Sequence, residues 1–442
     1  MSAQVPIRQR GPGFALTVLT VAAAVLVSAP TALAAPAASA LSQAAASPIA
    51  ASAGAASQFT ATPVPTIAGI PQAGRRLTAS PGTWKPAPVA LSYRWMVGGV
   101  TVPGATASVF TPSNTHVGKR VTVTVTGTKA GYQTVSKASA PTRLVAPATI
   151  AVGASPRKLV VTADGRWAYV ANSGAGTVSV ISAATGRVVA TVPVGGNPIG
   201  LAVSANQKQL FVSSCTDLKV YAVNIASNTV AYSFKTGTCG DLVATPDGKS
   251  LYIGNSPTLT EITVVTIASR SLAEPIFAFA SVSELTPSAD QTKVYVSNGD
   301  DYSILIVDTA TNRLLTNRFT TSHPPVASAP SPDGKTVYAS LGRDLFTGPS
   351  NAVEVIDIAT NRVRASIAIN APGDLEVSPD GSKLYVLSRD DNTIVTVSTA
   401  TNRVLSRIPV GRAPSSLAVT PDGRKVGIVN SGDNTVSVLP VF

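Results

Sequence analysis

Few residues in this chain could do covalent or acid–base chemistry. It holds two histidines, His116 and His323, and two cysteines, Cys215 and Cys239. Its densest polar feature is a position that recurs along the C-terminal two-thirds, occupied in order by Lys158, Gly200, Asp241, Glu284, Ala327, Asp374 and Ser416. Three carboxylates and one amine brought together there could receive a cation or a polar ligand. The simpler alternative is a solvated rim, where charges meet water at little cost. His323, Arg343 and Arg389 fall in loops on the same side, and His323 with Glu284 has the residue types for proton transfer. His116 lies in a different segment, so no two-histidine site can form, and we assign no catalytic residue. Asp300-Asp301, Asp390-Asp391 and Asp433 lack the alternating Asp/Asn pattern and closing Glu of a calcium loop and read as turn residues. No metal or cofactor is expected.

These positions are aligned by an internal repeat. A turn recurs at Asp164-Gly165, Asn206-Gln207, Asp247-Gly248, Asp290-Gln291, Asp333-Gly334, Asp380-Gly381 and Asp422-Gly423, with spacings of 42, 41, 43, 43, 47 and 42 residues. That period, with about four strands per unit, predicts propeller blades. Each unit has an inner strand such as Leu159-Val160-Val161, the tight turn, a second strand such as Trp167-Ala168-Tyr169-Val170, and a third such as Thr177–Ile181. A polar turn then leads to an outer strand, Arg187–Val194 in the first unit; the turn recurs as Ala-Thr-Asn-Arg at 310–313, 359–362 and 400–403. The last unit stops after its third strand, so Ala148–Val152 is expected to supply the fourth and close the circle. The spacing of 47 marks an insertion, Gly342–Asn351, a candidate contact loop. The fold class is therefore all-β: a seven-bladed β-propeller over 147–442.

The units resemble the YVTN repeats of surface-layer and other exported proteins. The resemblance rests on Tyr169-Val170-Ala171-Asn172 with Thr177-Val178-Ser179-Val180, on Tyr295-Val296-Ser297-Asn298, on Tyr385-Val386-Leu387-Ser388 with Asn392-Thr393, and on Val194-Gly195-Gly196-Asn197-Pro198 and Val410-Gly411-Arg412-Ala413-Pro414. It implies the fold firmly and the function weakly. Some relatives of this fold are lactonases or lyases, so a hydrolase or lyase at the channel mouth is the alternative to a non-catalytic binding or scaffold protein.

Ahead of the repeats stand three further segments. Residues 1–34 read as a secretory signal: Arg8 and Arg10, an apolar run from Phe14 to Ser28, and Ala32-Leu33-Ala34 for cleavage. Residues 35–60, rich in Ala and Ser, read as a disordered spacer. Residues 61–146 read as a β-sandwich whose core aromatic is Trp95, with Tyr93 on the same face. Through Leu77–Trp84, Tyr93-Arg94-Trp95, Pro103–Thr106 and Val117–Tyr132 it resembles the bacterial Ig-like modules of exported proteins.

The net charge of +12 is uneven: residues 35–146 carry nine basic and no acidic side chains, while 147–442 carry 23 basic and 22 acidic ones. A basic module of this kind suits anionic cell-wall polymers; nucleic acid is not expected, for aromatic–basic interleaving is missing. The anticipated partners are an extracellular protein or glycan, with no membrane span once the signal is cleaved. The anticipated location is outside the cell, with the basic module offering a route to wall association. In that oxidising setting Cys215 and Cys239, in neighbouring loops on one face, are expected to pair, although two buried thiols remain an alternative.

Overall fold

The computed structural model describes residues 56–254, 261–278, 282–344 and 348–441. The expected signal and nearly all of the expected spacer lie outside the described residues. Among those described, no helix is long and apolar enough to cross a membrane.

Among the described residues, 147–441 build seven antiparallel sheets, five of four strands and two, the third and fourth, of five because their outer edge is split into two short strands; a two-stranded hairpin stands apart. The first runs Pro156–Val161, Trp167–Asn172, Thr177–Ser182 and Arg187–Pro193 from inside to outside. The other inner strands are Pro198–Val203, Leu242–Ala244, Val282–Pro287, Pro325–Pro330, Pro372–Val377 and Pro414–Val419. They pack side by side in that order, and the last returns to the first. The second strands are buried along nearly their whole length, as Leu210–Ser214 and Leu384–Ser388 show, because a sheet covers each of their faces. The outer strand Arg187–Pro193 instead alternates exposed residues with half-buried ones and the buried Val192, as a rim strand must.

The seventh sheet takes its outer strand from the other end of the repeat region. Ala148–Ala151 pairs antiparallel with Thr435–Pro440, with Val438 opposite Ala148 and Thr435 opposite Ala151. The Val152 amide continues the ladder to the Asn434 carbonyl at 3.0 Å.

One hydrogen-bonded clip makes every inner turn. In the first sheet the Thr162 hydroxyl donates to Asp164 Oδ1 at 2.6 Å, the Arg166 amide donates to the same oxygen at 2.9 Å, and the Trp167 amide donates to Thr162 Oγ1 at 3.1 Å. Ser204/Asn206, Thr245/Asp247, Ser288/Asp290, Ser331/Asp333, Ser378/Asp380 and Thr420/Asp422 repeat it. The residue after the Asp or Asn has positive φ in all seven turns, from 56° at Gln291 to 73° at Gly381. Glycine adopts this conformation without penalty; Gln207 and Gln291 adopt it against their Cβ.

Residues 61–146 form two sheets: one of Thr66–Ala68, Leu77–Ser80 and Val109–Phe110, the other of Val100–Thr101, Ala90–Val97, Val121–Thr128 and Val135–Ala138. Trp95 is fully buried between them, its indole N–H donating to the Ala107 carbonyl at 2.9 Å. The ordered unit starts before residue 61. Ser57 bridges to Tyr132, and Phe59 packs between Trp84 and Tyr132 with centroids 5.5 and 5.4 Å away. One aromatic ring is enough to dock the end of a segment whose composition reads as spacer.

The sandwich is docked on the repeat region. Val117 packs into the sandwich core and also against the cluster holding Ile408, Val410 and Val441. Gln72 Nε2 donates to the Pro147 carbonyl at 3.0 Å and reaches Thr149 Oγ1 at 3.4 Å.

Gln291→Gly removes the left-handed penalty at an exposed turn, and Gly334→Ala adds it. Chemical denaturation is expected to show the first variant more stable by about 0.5 kcal/mol and the second less stable by about 1 kcal/mol.

Candidate functional site

The throat of the sheet circle is built by the third residue of six inner strands and, in the third sheet, by Asp241 just before the inner strand Leu242–Ala244. Six of the seven inner strands carry a bulge there. Pro156 faces Asn172 while Lys158 faces Ala171, and the same shift occurs at Gly200, Glu284, Ala327, Asp374 and Ser416. The bulge frees backbone N–H groups from the ladder and turns these side chains inward.

Four of the seven positions are charged and meet across the opening. Lys158 Nζ lies 3.2 Å from Asp241 Oδ2 and 3.0 Å from Glu284 Oε1, joining the first sheet to the third and fourth. The Lys158 side chain keeps 22% of its exposure and its two partners 12%. The expectation of a solvated rim is therefore corrected. The bulge aims these groups into the throat, where protein surrounds them and they bond to one another. Gly200 has no room for a side chain: a Cβ would stand 2.1 Å from the Gly240 carbonyl oxygen. Ala327 and Ser416 are small and buried.

The carboxylates also stitch neighbouring sheets. Asp241 Oδ2 accepts the Leu285 amide at 3.3 Å, Asp374 Oδ2 accepts the Leu417 amide at 2.9 Å, and Ser416 Oγ accepts the Leu159 amide at 3.3 Å. In each case the acceptor belongs to one sheet and the amide to the next, immediately after its own throat residue. Glu376, two residues beyond Asp374, does the same one layer deeper, accepting the Val419 amide at 2.9 Å. The sequence reading missed Glu376. The signal was present: the other residues at its position are Val160, Ala202, Val243, Thr286, Ala329 and Ala418, so one carboxyl stands in an otherwise uncharged layer.

Burial sets the proton affinities. It pushes Glu376 up to about 8, against the Val419 amide that stabilises its charge. It pushes Glu284 up to about 8 as well, opposed by Lys158 and assisted by the charges of Asp374 and Asp241. Asp374 is raised by burial against the pull of Lys158. Burial alone would lower Lys158, but the attraction of Asp241, Glu284 and Asp374 outweighs it and holds the ammonium well above its usual range. Asp241 Oδ1 and Glu284 Oε2 are buried without a hydrogen-bond partner. Among the described residues no three His, Cys, Asp or Glu side chains are grouped to hold a metal ion.

The remaining sequence candidates are placed on the same side but are engaged differently. His323 Nδ1 faces Ser322 Oγ at 3.2 Å, while Glu284 Oε1 takes Lys158. Arg389 Nη2 donates to the Pro372 carbonyl at 3.3 Å, and its chain lies over Gly373. Arg343 is exposed in a short hairpin, Arg343–Asp344 with Gly348–Pro349. Cys215 and Cys239 form a disulfide with Cα atoms 5.0 Å apart, tying the second sheet to the approach of the third. Closing this short loop contributes roughly 3 kcal/mol.

Residues 122–366 match the family described as outer membrane protein assembly factor BamB. The chain belongs to this β-propeller family. The match opens in the sandwich strand Val121–Thr128 and ends in the outer strand of the fifth sheet, Arg362–Ala368. A solved chain of Kuenenia stuttgartiensis hydrazine synthase is similar at 19% identity with a TM-score of 0.58, covering 65% of this chain and 96% of that one. At that identity the likeness concerns the fold alone. No curated protein matches. Within the BamB family fold, the throat of this chain is an ion-paired seam between sheets, and its accessible polar groups stand on the loops around it.

Two outcomes test the throat. A carboxyl whose folded value is raised stabilises the fold most below its unfolded value, near 4.3. That stability is lost as pH rises through about 8. Glu376 is thus expected to cost about 4 kcal/mol between pH 5 and pH 9, read by denaturation at each pH, and Glu376→Gln is expected to flatten that alkaline limb. Lys158→Met leaves the buried acids uncompensated and is expected to lower stability by about 3 kcal/mol at neutral pH, with a smaller loss at pH 5, where Glu284, raised by burial, takes up its proton.

Proposed function

We propose that this is a secreted, non-catalytic binding or scaffold protein. In this reading the sheets are the blades of a seven-bladed YVTN-type propeller, and the sandwich is a bacterial Ig-like module serving as spacer or cell-wall tether. The partner is an extracellular protein or glycan received on the loops around the throat. The observation that carries the reading is the engagement of the throat. Lys158, Asp241, Glu284 and Asp374 are bonded to one another or to backbone amides of adjacent sheets, so their chemistry serves the scaffold. Arg343 and Arg389, by contrast, are exposed at the mouth. The family match to a protein assembly factor agrees with a protein-binding role. The docked sandwich and the nine basic charges that come before the repeats agree with a tether.

The test is capture from surface extracts of the source culture on the immobilised chain. Arg343→Ala with Arg389→Ala is expected to lower capture at least fivefold, while Glu376→Gln leaves it unchanged. A measurable lactone hydrolysis that disappears in His323→Ala would replace this reading with the enzymatic one.

A further inference from the structure

The repeat region is nearly neutral in sum, yet its topology sorts its charges by end. Inner strands run from the mouth toward the Asp-Gly turns, and third strands run the same way toward the turns before the outer strands. Both sets of turns therefore emerge on the face opposite the mouth. Counted with the first residue of the strand that follows, these turns hold thirteen Lys and Arg against six Asp; Asp308 and Asp357, which bind turn amides from the preceding strands, raise the acids to eight. The loops of the mouth end, counted the same way, hold nine carboxylates against four basic side chains.

The basic face has a regular layout. An inner circle stands two residues after the turn Asp or Asn, at Arg166, Lys208, Lys249, Lys335 and Arg424. Arg166, Lys249 and Lys335 are 73–80% exposed, at 3.6–4.0 Å from their own turn aspartates. Those aspartates, Asp164, Asp247 and Asp333, are already held by clip hydroxyls and amides, which lower their proton affinity. An outer circle stands where the outer strands begin, at Arg187, Arg313, Arg362 and Arg403 and at Arg270 one residue before its strand, all exposed.

The chain passes from the sandwich into the repeats at this same end, while Val117 and Gly118 reach along the side to Ile408. Ala148 pairs with Val438, two residues from Pro440, which pairs with Lys425 just after the Asp422-Gly423 turn. The segment with nine basic and no acidic residues thus enters beside the basic face.

We propose that the turn face, together with the sandwich, is a docking side for an extended polyanionic glycan bearing repeated phosphate, sulfate or carboxylate groups, with the acidic mouth directed away from it. Two concentric circles of guanidinium and ammonium groups engage many anions weakly and at once, and binding releases their counterions. Glycan is favoured over nucleic acid because the aromatic rings beside the circles are already engaged: Arg270 lies over the Tyr232 ring at 4.0 Å, and Trp167 packs against the core between the first and second sheets. The proposal rests on the tether reading above and adds to it a second surface and an orientation.

The test uses the full chain and soluble heparin as the polyanion. Arg187→Glu, Arg362→Glu and Arg403→Glu together are expected to weaken binding at least tenfold and to make its salt dependence shallower. Arg157→Glu, Lys219→Glu and Lys235→Glu, at the mouth end and with the same change in net charge, are expected to stay within twofold. Equal loss in both triples reduces the effect to net charge and overturns the proposal, as does no loss in either. Loss confined to Arg76→Gln, Arg94→Gln and Arg143→Gln leaves the tether reading standing and removes the turn face. An unmodified chain that ignores heparin removes both. Binding to phosphatidylglycerol vesicles in preference to heparin also overturns the proposal.

Discussion

A single antiparallel pairing, Ala148–Ala151 against Thr435–Pro440, joins segments nearly three hundred residues apart and completes the last sheet. Without it the seventh sheet would have an open third strand and the first inner strand would lose a neighbour. Closure also explains why the throat exists. Only in a circle can Lys158 of the first sheet reach Asp241 and Glu284 of the third and fourth.

The throat shows how a scaffold accommodates charge it has buried. Each bulge releases backbone N–H groups, and the side chains of Asp241, Asp374, Glu376 and Ser416 accept them from the neighbouring sheet. The carboxylates are thus hydrogen-bond acceptors first and charges second. One lysine compensates a group with more acid than base, so burial keeps Glu376 protonated well into the neutral range and raises Glu284 against the pull of its Lys158 ion pair. Exposed turn aspartates behave oppositely: clip hydroxyls and amides lower Asp164, Asp247 and Asp422, and their contribution fades only as the solution becomes acidic. The fold is pressed from both ends of the pH scale by different residues.

Charge at the surface follows the same topology. Clip chemistry fixes an Asp or Asn in each inner turn, with a basic residue two positions on in five of the seven, and an Arg begins the outer strand in four sheets and immediately precedes it in a fifth. Because strand direction alternates, a chemical habit of the turns becomes a property of one whole face.

Period, turn chemistry and alternation were legible in the chain itself, since each depends on neighbours within a few residues. The Asp-Gly clip, the four-strand unit, the return of Ala148–Ala151 and the equivalence of Lys158, Asp241, Glu284 and Asp374 all follow from local pattern. The pairing of Cys215 with Cys239 came from placing two loops on one face. Tertiary structure decided what those positions do. It turned an anticipated wet rim into a bonded seam and made Glu376 part of it. It also docked the sandwich through Val117 and Gln72 rather than leaving it to swing. The reason is physical: solvation, ion pairing and proton affinity depend on residues from other sheets. Their distances are set by closing the circle and are not written in any single repeat.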